Sequence, residues 1–254
     1  MRTPLIAGNW KMFKTVSEGV VFAKEFRSLV KDVTGVEIVV APPFTAIHAM
    51  AEALRNTNVA VAAQDMYWEK EGAFTGEVSP NMIKEAGAEL VIIGHSERRR
   101  LFQETDATVN KKIVAAIGAG LTPIVCIGET LEERERNQTL AILDRQIKDG
   151  LDRLTAEQIA NLVVAYEPVW AIGTGKNATA AQAQEAHAHI RGRLRQWFGA
   201  DAADRCRVLY GGSVKPDNIS GLIQEADVDG ALVGGASLDV KGFGEIVMRS
   251  RPAI

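Results

Sequence analysis

Cysteine is scarce: the 254-residue chain has two, Cys126 and Cys206, each inside an apolar run and neither in a pair at metal-ligand spacing. That excludes a disulfide-dense scaffold, argues against a structural zinc site and fits a reducing, cytoplasmic compartment. A basic excess is also lacking. Twenty-nine Lys and Arg face 32 Asp and Glu for a net charge of -3, so nothing draws the surface to nucleic acid. The longest uncharged apolar stretch, residues 113–128, carries three glycines and Pro123, and falls short of the roughly 20 residues that span a bilayer. The opening MRTPLIAGNWKMFK meets Gly8, Asn9 and Lys11 too early to hold a signal-peptide core. No Pro/Ser-rich linker or shift of composition divides the chain, so one domain over residues 1–254 is expected.

What the chain has instead is a series of eight short apolar runs, at residues 5–7, 36–41, 59–63, 90–93, 123–127, 162–166, 208–210 and 231–233. They are nearly continuous in apolar character and each leads to a helical segment, which implies a parallel sheet covered by helices. Eight such units predict an α/β fold closed into a (β/α)8 barrel. An open doubly wound sheet would want a G-x-G-x-x-G turn after the first strand, where this chain has AGNWKM. Helices are expected over 16–30, 45–56, 106–119, 131–154 and 216–225, with another starting at Ser79 and Pro80. Capping-box spacing joins Thr155 to Gln158, and Thr179 to Gln182 before a helix that ends near Phe198.

Polar residues stand where the apolar runs stop. Asn9 and Lys11 follow the first, His95 the fourth, and Glu167 closes the sixth, kept extended by Pro168. Each alone has a structural explanation: a turn former, a solvated amine, a helix cap, a surface carboxylate. In a barrel, however, these positions converge on one mouth, where a base, an imidazole, an ammonium and an amide form a catalytic constellation. Beyond Glu167, Trp170 and Ile172 are apolar residues in a segment that also carries flexible Gly173 and Gly175, the composition of a lid with an apolar underside. The GTGK within it is no Walker A loop, because Trp170 and Asn177 stand where that loop needs Gly and Ser or Thr. Ser213 after Gly211 and Gly212, and the pair Gly234 and Gly235, leave backbone N–H groups uncovered at the last two strands, a phosphate-binding arrangement.

The motifs GNWKM at 8–12, GHSERR at 94–99, AYEPVWAIGTGK at 165–176, YGGSV at 210–214 and GALVGGASL at 230–238 together resemble the triosephosphate isomerase family from the first strand to the last helix. The resemblance implies a TIM barrel that interconverts dihydroxyacetone phosphate and D-glyceraldehyde 3-phosphate without metal or organic cofactor. It implies Glu167 as general base, a neutral His95 as electrophile, and Lys11 and Asn9 as electrostatic and orienting groups, roles long described for this family. Gly173, Ser213, Gly234 and Gly235 would then bind the substrate phosphate. It also makes the loop from Gln64 to Val78, with Tyr67, Trp68 and Phe74, the contact of a homodimer in which Phe74 and Thr75 reach the other subunit's mouth.

Two positions depart from the family's usual pattern: Asp65 where Asn is common, expected to add charge near the interface, and Gln103 where Gly is common. Two rival readings stand beside this one. A different sugar-phosphate isomerase would share the glycine clusters but not the four mouth residues with the lid, and a silent homologue would be expected to have lost one of those four.

Overall fold

The computed structural model describes residues 2–171 and 178–251. Eight parallel strands close into a barrel in sequence order: β1 (Leu5–Asn9), β2 (Glu37–Ala41), β3 (Val59–Ala63), β4 (Leu90–Ile93), β5 (Thr122–Ile127), β6 (Val163–Tyr166), β7 (Arg207–Tyr210) and β8 (Gly230–Val233). Closure is by β8 on β1, with Ile6 opposite Ala231 and Gly8 opposite Val233.

The strands read as unbroken apolar runs because both their faces are buried. Successive side chains alternate sides. Leu5, Ala7, Val39, Ala41, Leu90, Ile92, Ile124, Cys126, Val163, Ala165, Leu209 and Leu232 fill the barrel interior. Their neighbours, such as Ile6, Ile38, Val91, Val125, Val164 and Val208, pack outward against the helices. Interior alanines beside leucines and isoleucines fit the layered filling of a barrel of this size.

The helices mostly follow expectation, with two corrections. Val16–Val30 begins at a capping box made by Thr15 and Glu18, and Ala180–Phe198 at the predicted box of Thr179 and Gln182. The expected helix 131–154 is two, Leu131–Glu135 and Thr139–Gly150, because Asn137 turns left-handed at φ 56° between them. Asn is among the few residues that tolerate that region. The segment expected as helix over 216–225 is helical only at Ile219–Ile223. There the Asn218 side chain folds back to accept from Lys215 N–H at 2.9 Å and donate to the Ser213 carbonyl at 3.0 Å, so the preceding residues form a turn.

Candidate active site

The alternation that builds the core also selects the residues at its rim. After Leu5 and Ala7, the next inward position on β1 is Asn9. After Val163 and Ala165 it is Glu167, one residue past the end of β6 and not within the strand as expected. After Leu209 and Leu232 come Gly211 and Gly234. Parallel strands bring all these ends to one face, where a pocket of about 270 Å³ is lined by Asn9, Lys11, His95, Glu167, Ser213, Gly234 and Gly235. Every site position chosen from the sequence therefore meets there except Gly173, which lies outside the described residues. Gly211, Lys215 and Ala236 are also part of the wall.

Glu167 is buried. Its carboxylate accepts from the Ser96 backbone N–H at 2.9 Å and the Ser96 hydroxyl at 3.1 Å, and lies 3.0 Å from His95 Nε2. Burial pushes its pKa up, but the contacts with His95 and Ser96 outweigh burial and hold it below the ordinary value. Its main chain is fixed by an N–H donated to the Ile127 carbonyl at 2.7 Å. On the other side Gly211 passes so close that a Cβ there would sit 2.9 Å from Glu167 Cγ. That glycine makes room for the carboxylate as well as baring its own backbone. Beneath lies Cys126, whose thiol is pushed well above its ordinary pKa by burial and by the Glu167 charge, and so stays neutral.

His95 caps the helix Ser96–Leu101, its Nδ1 accepting from Glu97 N–H at 3.2 Å. That bond needs a lone pair on Nδ1, so it belongs to the neutral imidazole carrying its proton on Nε2, toward Glu167. Burial opposes protonation, yet the carboxylates of Glu167 and Glu97 raise the pKa overall. The helix end and the adjacent carboxylate thus pull the imidazole in opposite directions.

Lys11 occupies the left-handed region at φ 52°, a conformation costing a non-glycine residue about 1–2 kcal/mol. Its backbone is gripped from both sides, its N–H by Asn9 Oδ1 at 3.0 Å and its carbonyl by Gln64 Nε2 at 2.9 Å. Strain of this kind is held where the side chain's direction matters. The ammonium rests 2.5 Å from Glu97 Oε1. Opposite, Gly234 and Gly235 open a short 3-10 turn, Gly235–Leu238. The first N–H groups of such a turn have no partner within it, and Gly235 faces open space.

Several residues of this arrangement carried no signal of their own in the sequence. Ser96 was part of the GHSERR motif without an assigned role. Glu129, wholly buried, accepts from Tyr166 Oη at 3.0 Å, Trp170 Nε1 at 2.9 Å and Arg134 Nη1 at 3.1 Å. It fixes the short turn Val169–Ala171 that leads to residues 172–177, so the expected lid is described only in its first part.

Asp65 is paired within the chain: its side chain is buried, 2.6 Å from Lys112 and 2.8 Å from Arg98, in a cluster completed by Glu104. Burial raises its pKa to about 6 against the pull of those two cations. Gln103 stands at φ 58°, the geometry that glycine accepts more readily. In the loop of residues 64–78, Tyr67 stacks on Trp68 at 4.1 Å and meets Phe74 at 4.6 Å, leaving Phe74 part exposed. Among the described residues no cluster of three or more His, Cys, Asp and Glu is placed to hold a metal ion, and no helix is long and apolar enough to cross a membrane.

Comparison with known proteins accords with this geometry. The profile of the family described as triosephosphate isomerase matches residues 4–250. The chain is 60% identical over 250 residues to the triosephosphate isomerase of Citrifermentans bemidjiense, covering 98% of this chain and 100% of that protein. It is 56% identical to that of Carboxydothermus hydrogenoformans, with the same coverage, 98% and 100%. The crystal structure of triosephosphate isomerase from Bartonella henselae superposes with a TM-score of 0.88 at 42% identity, over 97% of this chain and 99% of that one.

Proposed function

The chain belongs to the triosephosphate isomerase family, and from that premise we propose that it interconverts dihydroxyacetone phosphate and D-glyceraldehyde 3-phosphate through an enediolate, with Glu167 as base and His95 as electrophile. The observation that carries the reading is the meeting of Asn9, Lys11, His95 and Glu167 in one pocket with the bare backbone of Gly234 and Gly235. Glu167 leaves Ser96 for the substrate and takes a proton from the carbon beside the carbonyl. The C–H electrons form the enediolate C=C bond as the carbonyl π pair moves to its oxygen; the hydroxyl proton then passes to that oxygen while the carbon proton returns to the neighbouring carbon, so no external oxidant or reductant enters. Release from the Ser96 and His95 donors raises the basicity that they suppress in the resting arrangement. His95 Nε2–H turns from Glu167 to the developing oxyanion, which a fixed donor stabilises without reorganisation. Lys11 supplies positive charge and Asn9 orients the oxygens. Ser213, Gly234 and Gly235 hold the phosphate, and Gly173 joins them from the lid.

A coupled assay of D-glyceraldehyde 3-phosphate conversion, with wild type beside Glu167→Ala, tests this. Turnover lost in the variant is expected, at the ~10²- to 10⁴-fold scale of a missing general base. Turnover retained would remove Glu167 from the role, and a folded but inactive wild type would favour the silent homologue.

The functional unit is a homodimer formed through the loop of residues 64–78. Exposed apolar side chains support it: Met12, Phe13, Phe44, Phe74, Met82, Leu101 and Phe102 all lie on segments following β1 to β4, which are neighbours around the barrel. A surface of that kind wants a partner. A monomeric mass by light scattering at working concentration would rule it out. Two buried free thiols support a reducing, cytoplasmic setting.

A further inference from the structure

Beyond the ends of the strands, the β5 chain continues beside β6 without its other neighbour. Ile127 and Glu129 turn their carbonyls to β6, accepting from Glu167 N–H at 2.7 Å and Val169 N–H at 3.1 Å. Gly128 lies between them, and successive residues of a parallel strand bond to opposite sides. Its N–H and C=O therefore point to the side of β4, whose last pairing with β5 is Ile93 to Val125. There the strand partner is missing, and a helix supplies it. Gln146, buried in Thr139–Gly150, accepts from Gly128 N–H at 2.7 Å and donates to Gly128 C=O at 3.2 Å. Its single amide makes the two bonds that a neighbouring parallel strand would make through two of its residues. Two residues earlier, Arg99 donates to the Cys126 carbonyl at 3.3 Å.

What Gln146 holds is the surface on which the carboxylate-bearing residue rests. A Cβ on Gly128 would sit 1.8 Å from the Glu167 carbonyl oxygen and 3.2 Å from its Cα, so the two backbones are in direct contact. Gly128 can shift only by taking the Glu167 main chain with it or by opening a gap beneath it.

We infer that Gln146 is a positioning residue for the reaction: by standing in for the absent strand at Gly128 it fixes the backbone from which Glu167 projects. The inference rests on the proposed role of Glu167 as base. Neither Gln146 nor Gly128 lies at a spacing that sequence reasoning connects to the site.

The test compares Gln146→Leu, which fills the space but loses both bonds, with Gln146→Glu, which keeps the acceptor for Gly128 N–H and loses the donor. An error of about 1 Å in a reacting group can cost ~10²-fold. The leucine variant is expected to lose roughly 10-fold or more in kcat with KM within about twofold, and the glutamate variant to fall between it and wild type. Ile147→Val, buried on the same helix, should lower the denaturation midpoint and leave kcat unchanged. Combined with Glu167→Asp, in which the base is already retracted, Gln146→Leu should cost less than it does in wild type, since coupled residues are not additive.

A folded Gln146→Leu with wild-type kcat overturns the inference, as do losses that simply multiply in the double variant, or an equal loss in Ile147→Val. If the leucine variant does not fold, a wild-type kcat in Gln146→Glu overturns it alone. Should Glu167→Asp itself turn over at the wild-type rate, the reading of Glu167 fails. Should it be slow while Gln146→Leu is not, only the role of Gln146 fails.

Discussion

The two ends of the barrel each bury charge, and they anchor it differently. At the base, Arg191 is tied to Asp227 at 2.7 Å, to Asp229 at 2.5 Å, and to the carbonyls of Ala203 and Cys206 at 2.6 and 3.0 Å. Asp229 in turn accepts from Val208 N–H at 2.8 Å and Arg2 at 2.6 Å. Those partners come from separate segments of the chain, and two of them are backbone carbonyls that cannot leave. At the mouth, the donors to Glu167 come from the adjacent pair His95 and Ser96, beside an open pocket. The carboxylates of Asp229 and Glu167 are both nearly sealed from solvent. One is locked by redundancy, and the other is held by a few bonds that a ligand can replace.

The sharpest way to break the contrast is to disable each end in turn. Glu167→Gln should lower kcat by ~10²- to 10⁴-fold while the urea midpoint moves little, since the amide oxygen still accepts from Ser96. Arg191→Met should do the reverse. It strands the buried carboxylate of Asp229 and the half-buried one of Asp227 and costs about 3–5 kcal/mol of unfolding free energy, with kcat per folded molecule kept. Equal effects on stability and rate in both variants would dissolve the distinction.

The histidines sharpen it further. Near the mouth, carboxylates raise the pKa of His95; in the helical layer, burial drives His187 down to about 4. His187 stands between the rings of Tyr166 and Tyr210 and bonds the Asp227 carbonyl through Nδ1 at 3.2 Å. Because the unfolded chain binds this proton near pH 6.5 and the folded one does not, the neutral form's contribution is whole above about pH 6.5 and is lost as pH falls toward 4. From the shift to about 4 it amounts to about 3 kcal/mol. Chemical denaturation of wild type and His187→Gln at both pH values should show that slope shrink in the variant. The smallest effect belongs to Gln103→Gly, which relieves a left-handed φ and should raise the melting temperature by the equivalent of about 1 kcal/mol or less, without altering kcat.

The barrel was legible because strands buried on both faces are written as runs that polar residues interrupt only where the strand ends. Asn9 and Glu167 could be chosen for the same reason. Glu129, Ser96 and Gln146 could not, since each acts through a neighbour that is distant in sequence or has no fixed spacing from it: Glu129 through Trp170, Ser96 through Glu167, Gln146 through Gly128. The helix over 131–154 misled because its charged residues suit a solvated helix on either side of Asn137, and a single left-handed residue leaves no periodic trace. The ion pairs of Asp65 leave no sequence trace because its cations, Lys112 and Arg98, become its neighbours only when β3 and the helices after β4 pack together.

Counting by twos along the strands carries a consequence for how such a chain can change. Removing one residue from β6 would not merely draw Glu167 back by one step, about 3.3 Å. It would turn every later position over, sending the carboxylate out among the helices and a core residue into the pocket. The connecting segments can lengthen or shorten freely by comparison. The chemistry of the mouth is therefore guarded by a parity rule: within the strands, only changes of two residues, or of none, leave the carboxylate facing inward.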